Sequence, residues 1–367
     1  MKLTRRHSLL SVIATALWQL LPHGARAADK YAAFNAAFAT DIAMPSLKAF
    51  AAATEAQVKA ATTFKAKPDG ASLDGLHKAF GDVSDAWMRA QLLRFGPLSQ
   101  EQRMDRVEYW PERRSITDKQ LAGLVGAADT AKLAPDVFAR ASVAVQGLGA
   151  LERLIHDGDN PLQRFTDGSP AATYRLALVA AIADNLHRIA HEALADWQAL
   201  EPKLAKGDQA GLAATPMEAT GQIYAGLLTT MQIVGDQKIG LPLGKSIDLA
   251  KPKMAEQRRA GRSLQNIALN LKAVRHAVTG KDAGSFASFL GATDIEPRLS
   301  AAFDECDIAL ADIKQPLPDA VVDDKGGRRK VEMFYVKLNL VRDILTQEMP
   351  GAIGITLGFN DLDGDGS

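Results

Sequence analysis

The chain has 367 residues and a mass of 39.3 kDa, and 47% of its residues are hydrophobic and 23% charged. This composition is typical of a folded protein with one or two domains and excludes a disordered chain. Its 43 basic residues equal its 43 acidic residues, so no excess of positive charge is present to attract nucleic acid.

The N-terminus has the pattern of an export signal. Arg5 and Arg6 precede the short apolar run SLLSVIATALWQLL, and Ala25-Arg26-Ala27 offers a small-x-small cleavage site. The run is shorter than the roughly twenty residues that a transmembrane helix needs, and no later segment is as uniformly apolar. The sequence therefore predicts a signal peptide over residues 1–27, and the paired arginines leave both the general and the twin-arginine routes open.

Cys306 is the only cysteine, and it lies far from the signal. No lipid-attachment cysteine and no intramolecular disulfide are therefore available. Cleavage after residue 27 would leave 39 basic and 43 acidic residues. We expect a soluble periplasmic protein that is not a lipoprotein and has no transmembrane segment after signal removal.

Apolar residues recur at helical spacing along almost the whole chain, and alternating β-branched runs with hairpin turns are missing from the sequence. The predicted helices cover residues 31–65 with a kink or break at Pro45, then 73–95, 134–157, 170–206, 217–236, 254–278, 294–313 and 328–349. The sequence predicts an all-α fold.

Two segments between these helices stand out. The loop from Gly96 to Ser115 contains RVEYWPERR, which is unusually aromatic and cationic for a connector. The stretch 200–216 is polar and rich in small residues, as linkers are. We therefore expect two helical-bundle domains, over residues 28–207 and 208–367.

The segment GLGALERLIH, residues 147–156, places an acid at the edge of a core. Leu148, Leu151 and Ile155 form an apolar stripe, and Glu152 lies directly beside it. A carboxylate in that position needs a partner, because an isolated buried charge is costly. Either an arginine or a metal ion could serve.

Six motifs in one order resemble the imelysin-like family of cell-envelope proteins, grouped with insulin-cleaving membrane proteases. They are AWMRAQLLRFGP (86–97), EYWPERR (108–114), GLGALE (147–152), GLPLGK (240–245), RAGRSLQNIALNL (259–271) and LGFNDLDGD (357–365). The resemblance spans nearly the whole chain after the signal. It implies two helical bundles, an export signal and, for some members, an association with iron uptake.

The family signature G-x-H-x-x-E implies a divalent-metal site, because its His and Glu share one helical face. This chain keeps Gly147 and Glu152 but has Gly149 where the His belongs, as in a subgroup that the chain resembles. His156 could replace the missing ligand, or it could cap the end of its helix. No cofactor is certain, and a metal at Glu152 and His156 would be iron, zinc or calcium.

Two further clusters could bind metal ions, but each also has a purely structural interpretation. Asp184, His187 and His191 share one helical face, but the buried face lies beside them, and we interpret them as a solvated, half-buried flank in preference to a metal site. The tail DLDGDG, residues 361–366, imitates half of a calcium loop and lacks the acid at loop position twelve. We interpret it as a solvated acidic terminus.

A polar pocket is the remaining hypothesis, since planar guanidinium groups beside tryptophans can hold a carboxylate, phosphate or sugar acid. The proposed lining at the domain interface is Trp87, Arg94, Trp110, Arg113, Gly147, Gly149, Glu152, Arg258, Ser263 and Asn266. The alternative is a buried Arg–Glu network that fastens the two bundles together.

The sequence therefore predicts an envelope protein that binds a small anionic ligand or another envelope protein, is linked to iron or metal uptake, and has no catalytic residues. The alternative is a metallopeptidase-like enzyme centred on Glu152, and a third hypothesis is a scaffold in iron acquisition. Serine hydrolysis and nucleotide chemistry find no support, since G-x-S-x-G, phosphate-loop and dinucleotide motifs are missing from the sequence.

Overall fold

The computed structural model describes residues 23–112, 114–206, 213–291 and 293–355, and within these ranges the chain contains helices and no strand. The all-α prediction is confirmed. The longer helices are α1 (His23–Phe38), α2 (Met44–Ala66), α3 (Gly70–Ala90), α4 (Ile116–Ala127), α5 (Leu148–His156), α6 (Pro170–Leu204), α7 (Pro216–Gln232), α8 (Ser263–Thr279), α9 (Ile295–Asp312) and α10 (Gly327–Asp343).

Shorter helical segments connect these elements. Single α-helical turns are Arg103–Val107, Pro135–Phe138, Gln163–Thr166, Leu241–Leu243, Ala287–Leu290, Leu317–Ala320 and Met349–Ile353. Segments of 3₁₀-helix are Gly96–Gln102, Thr130–Leu133, Val143–Val145, Ile247–Leu249 and Pro252–Met254, and π-helical segments are Ala39–Ala43, Ile233–Gly240 and Ile344–Glu348. The sequence did not predict α4, which follows the aromatic loop directly.

The chain stays helical through Pro45. A π-helical turn, Ala39–Ala43, joins α1 to α2, and Pro45 lies in the first turn of α2. The wider i→i+5 turn accommodates a residue that has no N–H to donate. Of the two predicted outcomes, a break is therefore wrong.

Two predicted helices are shorter in the structure. The helix predicted from residue 254 begins at Ser263, because Gln257 and Gly261 both adopt positive φ, at 44° and 68°. The helix predicted over 134–157 is divided into separate pieces, and only α5 is longer than a turn. Gly147, immediately before α5, is extended and ends the preceding segment.

Helix α2 packs between α3 and α6, while α8 packs between α7 and α9, and α9 lies against α10. Helices α3 and α8 contact each other, so the two predicted domains share one apolar core that runs from Tyr31 to Ile355. The boundary at 207/208 stays a prediction, and residues 207–212 lie outside the described ranges. No helix in the described part of the chain is both long and apolar enough to cross a bilayer.

The contact between α3 and α8 includes a polar clasp. The side-chain amide of Asn270 donates to the backbone carbonyl of Met88 at 2.7 Å and to Gln91 Oε1 at 3.1 Å, and all of these atoms are buried. Met88 belongs to the last turn of α3, whose carbonyls have no partner within the helix. Asn270 therefore caps α3 from the other half of the chain.

We expect Asn270→Ala to lower the free energy of unfolding by about 1–3 kcal/mol, because it leaves buried acceptors without a donor. Urea denaturation followed by circular dichroism measures this. Lys272→Ala, at an exposed position of the same helix, is the matched control and should change stability by less than about 0.5 kcal/mol. Equal effects of the two substitutions would contradict the capping role of Asn270.

Candidate functional site

A pocket of about 50 Å³ lies where the end of α3 and the loop after it meet the segment after α7 and the loop before α8. Its volume holds about three to five waters or a ligand group of that size. Its lining is Trp87, Gln91, Arg94, Met104, Asp105, Glu108, Trp110, Ile233, Gln237, Lys238 and Glu256. Both halves of the chain contribute residues to this lining.

A buried ion pair forms the floor of this pocket. Lys238 Nζ lies 2.8 Å from Glu256 Oε2, and the two side chains are only 1% and 2% exposed. The same ammonium contacts Gln91 Oε1 at 3.3 Å and Met88 Sδ at 3.1 Å. Asn266 donates a further hydrogen bond to Glu256 Oε2 at 2.9 Å. These partners offset the cost of removing both charges from water.

Glu108 is a second buried carboxyl in the floor. It accepts from Gln257 Nε2 at 2.8 Å and from Gln91 Nε2 at 3.4 Å, and both donors are neutral amides. Burial, followed by the negative charge of Glu256, raises the pKa of Glu108 to about 8, although Lys238 acts in the opposite direction. Glu108 is therefore mostly protonated at neutral pH.

Glu152 holds the loop that carries Glu256 and Gln257. Its Oε1 accepts from the backbone N–H of Arg259 at 2.8 Å and of Ala260 at 3.1 Å. Burial raises the pKa of Glu152, while these two amides and the Arg259 charge act against the rise. Glu152 is thus a positioning residue beside the pocket and is not part of its lining.

The two glycines before Glu152 have different roles. A Cβ at Gly147 would lie 2.2 Å from the carbonyl oxygen of Val107, so the helical turn Arg103–Val107 can approach only a glycine. At Gly149 a Cβ would lie 3.6 Å from Arg153 Nη1, which is ordinary contact. The close approach at Gly147 places the turn that leads into Glu108.

Arginine–carboxylate pairs link the two halves around this loop. Arg259 Nε lies 3.0 Å from Asp157 Oδ1, and Arg262 pairs with Asp85 of α3. The predicted alternative, an Arg–Glu network across the interface, thus has a counterpart built from arginine and aspartate. The predicted Arg258 is half-buried beside Arg259, and burial lowers its pKa.

The predicted site residues therefore divide into three groups. Trp87, Arg94 and Trp110 line the pocket. Ser263 and Asn266 support Glu256, since Ser263 Oγ donates to its backbone carbonyl at 2.6 Å. The third group does not line the pocket: Gly147, Gly149 and Glu152 lie at the start of α5, and Arg258 lies in the loop before α8. Arg113 lies outside the described residues.

His156, the other predicted metal ligand, packs against α3. Its ring stacks on His77 of α3 with centroids 4.1 Å apart and meets Phe80 edge-on at 5.2 Å. Burial, followed by the charge of His77, lowers the pKa of His156 to about 4, which keeps the ring neutral. Metal binding at Glu152 and His156 stays a prediction.

His187 and His191 lie together on α6 with ring centroids 4.2 Å apart, and Asp184 is exposed nearby. Within the described ranges, no three His, Cys, Asp or Glu side chains are placed to hold a metal ion. The acidic tail, residues 361–366, lies outside those ranges.

Sequence reasoning missed the polar residues Glu108, Lys238, Glu256 and Gln91 of the pocket lining, and Gln257, which donates to Glu108. Glu108 belongs to the aromatic loop that did attract attention. Lys238 follows the polar pair Asp236 and Gln237 and precedes the apolar run IGLPL, so nothing in its own segment marks it as a pocket residue. Its partner Glu256 is 18 positions further along the chain, inside a segment predicted as helix.

These features define an all-helical protein with a polar pocket between its two halves. The family model described as Imelysin matches residues 43–344, and the chain belongs to this family. An imelysin-like protein from Psychrobacter arcticum 273-4 has a similar structure, with a TM-score of 0.75 and 21% identity over 90% of this chain and 98% of the other. A candidate iron-regulated protein A precursor from Parabacteroides distasonis ATCC 8503 gives a TM-score of 0.62 and 16% identity over 87% and 96%. None of the curated proteins matches the chain in sequence.

We expect Gly147→Ala to lower the free energy of unfolding by about 1–3 kcal/mol, because the new methyl group must displace backbone at Val107. Gly149→Ala is the matched control two residues later, where a methyl group fits, and should change stability by less than about 1 kcal/mol. Thermal and urea denaturation measure both. If Gly147→Ala leaves the free energy of unfolding unchanged, the turn Arg103–Val107 does not need its close approach to Gly147.

Glu108 should make stability depend on pH. Its folded-state pKa of about 8 exceeds the ordinary 4.5, so the folded protein keeps a proton that the unfolded chain releases. The contribution of this proton is complete below pH 4.5 and is lost as pH rises through 8. Glu108→Gln should reduce that loss by about 1 kcal/mol per pH unit within the window.

Urea denaturation at pH 5, 6.5 and 8 is the measurement for Glu108. Glu55→Gln is the control, because Glu55 is exposed on α2 and the substitution should leave the slope of stability against pH unchanged. A Glu108→Gln variant with the wild-type slope would show that Glu108 is ionised in the folded protein.

Proposed function

We propose that this protein is an exported ligand-binding protein of the cell envelope, located in the periplasm, and that its ligand site is the pocket between the two halves. The observation that carries the proposal is a buried hydrogen-bond donor in the lining of this pocket. Trp87 lines the pocket, is 1% exposed, and has an indole N–H with no hydrogen-bond partner among the described residues. Buried polar atoms of this kind are uncommon in native proteins unless a ligand or water satisfies them.

The location of the pocket supports the same proposal. Ligand sites commonly lie between structural units and combine apolar walls with a few fixed polar groups. Here tryptophan, methionine and isoleucine side chains surround the buried carboxyls and amides. The positions of these polar groups are held by the supporting loops, so the site is largely preformed.

Peptide hydrolysis is not part of the proposal. A hydrolytic metal site needs about three protein ligands and an open position. The family signature has its His replaced by Gly149, and the Glu152 carboxylate holds backbone amides. Both observations favour binding over the metallopeptidase alternative.

A setting in metal uptake is the second part of the proposal. Its support is the name of the structurally similar Parabacteroides protein, which refers to iron regulation. Measuring transcript levels of this protein under iron-replete and iron-depleted growth tests it. Unchanged levels would contradict a role tied to iron supply.

Blocking the pocket tests the ligand site itself. Gln237 lies half-buried in the lining, and Gln237→Trp should fill the pocket without removing a buried charge. We expect this variant to bind the ligand found by a small-molecule thermal-shift screen at least about tenfold more weakly, a loss of about 1.4 kcal/mol. Gln198→Trp, on the exposed face of α6, is the matched control.

Equal binding by the wild type, Gln237→Trp and Gln198→Trp would place the ligand elsewhere. A screen in which no compound stabilises the wild type would contradict a small-molecule site. Circular dichroism of both variants confirms that an added tryptophan has not unfolded the protein.

A further inference from the structure

The charges in the pocket floor balance only while Glu108 carries a proton. Glu108 and Glu256 are two buried carboxyls, 7% and 2% exposed, and Lys238 is the cation between the two halves that offsets them. The ammonium group has three N–H donors. Its three neighbours, Glu256 Oε2, Gln91 Oε1 and Met88 Sδ, use them all. An anionic ligand therefore finds no free donor on Lys238.

Glu108, unlike Lys238, has no partner of opposite charge among the described residues. It receives hydrogen bonds from Gln257 and Gln91 alone, and the described residues form no ion pair with it. A carboxylate that is buried and unpaired takes up either a proton or a cation. The charged groups that face it are Glu256, Lys238 and, further away, Glu152. Their sum with Glu108 is negative when Glu108 is ionised.

The walls suit an organic cation. Trp87 and Trp110 both line the pocket, and tryptophan rings attract ammonium groups that approach their faces. Arg94 and Asp105 both line the pocket, and the charge of Arg94 acts on the Asp105 carboxyl, so these two offset each other. The volume of about 50 Å³ limits the buried part of a ligand to a few heavy atoms.

Resting on the proposed function, we infer that the ligand of this pocket is a small organic cation, whose ammonium N–H groups donate to Glu108 in place of the proton that Glu108 carries in the free protein. A water beside the cation then accepts from the Trp87 indole N–H, which an ammonium group cannot satisfy. The sequence-based expectation of an anionic ligand required several arginines to converge. Of Arg94, Arg113 and Arg258, Arg94 lines the pocket, Arg258 lies beside the supporting loop, and Arg113 is outside the described residues.

Proton release on ligand binding can be measured on the wild-type protein, without any substitution. Because the cation replaces a proton, each binding event releases nearly one proton well below pH 8 and progressively less as the pH rises through 8. The affinity should therefore rise up to about tenfold per pH unit from pH 6 and level off above pH 8.

The experiment titrates the full-length protein with ethylammonium chloride, followed by tryptophan fluorescence and by isothermal titration calorimetry in two buffers of different ionisation enthalpy. Acetamide and sodium acetate are the neutral and anionic probes of similar size, and sodium chloride controls for ionic strength. We expect ethylammonium to bind at least tenfold more tightly than either, with proton release at pH 7.

Glu108→Gln should weaken ethylammonium binding at least tenfold and remove its pH dependence, and Glu55→Gln should match the wild type. Tighter binding of acetate or acetamide, or binding of ethylammonium without proton release, would overturn the inference. If Gln237→Trp abolishes the binding of acetate or acetamide, the ligand site is confirmed to be this pocket. The inference that its ligand is a cation is then overturned. Wild-type protein that binds none of the three probes at 100 mM would also overturn it, and the thermal-shift screen then judges the proposed function separately.

Discussion

The buried ion pair between Lys238 and Glu256 is the constraint on which the centre of this molecule depends. Removing either partner would leave a charge in a site that is almost inaccessible to water, which is far more costly than the pair itself. The π-helical segment after α7, the loop before α8 and the end of α3 must therefore keep their relative positions. Gln91 and Asn266 tie the pair to both halves of the chain, so the geometry of the pocket follows from the stability of the fold.

The family-signature residues Gly147 and Glu152 influence this buried pair indirectly. Glu152 accepts the backbone amides of residues 259 and 260, a few positions after Glu256, and Gly147 lets the turn before Glu108 come close. Both effects place pocket residues without contacting the pocket. The signature residues that resemble half of a metal site in the sequence also hold two segments of this chain in position. The same fastening explains why a Glu beside an apolar stripe is tolerated at the edge of a core.

Local patterns predicted the helices well where a single amphipathic face governs the segment, as in α3, α6, α9 and α10. They failed between residues 254 and 262, where apolar and charged residues follow one another with helical spacing but the backbone is turned by Gln257 and Gly261 at positive φ. That conformation is fixed by contacts with Glu108 and Glu152, which are more than a hundred positions away. Trp87 and Trp110 were found because tryptophan near arginine is conspicuous. Lys238 and Glu256 were missed because each is ordinary in its own segment.

The sequence by itself determined the helical class, the resemblance to imelysins, and the apolar faces that build one continuous core, since these depend on residue types at short and regular spacing. Only the tertiary structure decided which polar residues meet. Residues 91, 108, 238 and 256 come together because four separate segments pack around one buried pair. The balance of charge in the pocket follows from the positions that these residues take in space. No periodicity along the chain encodes it, because electrostatic energy in a buried site depends on distances in space.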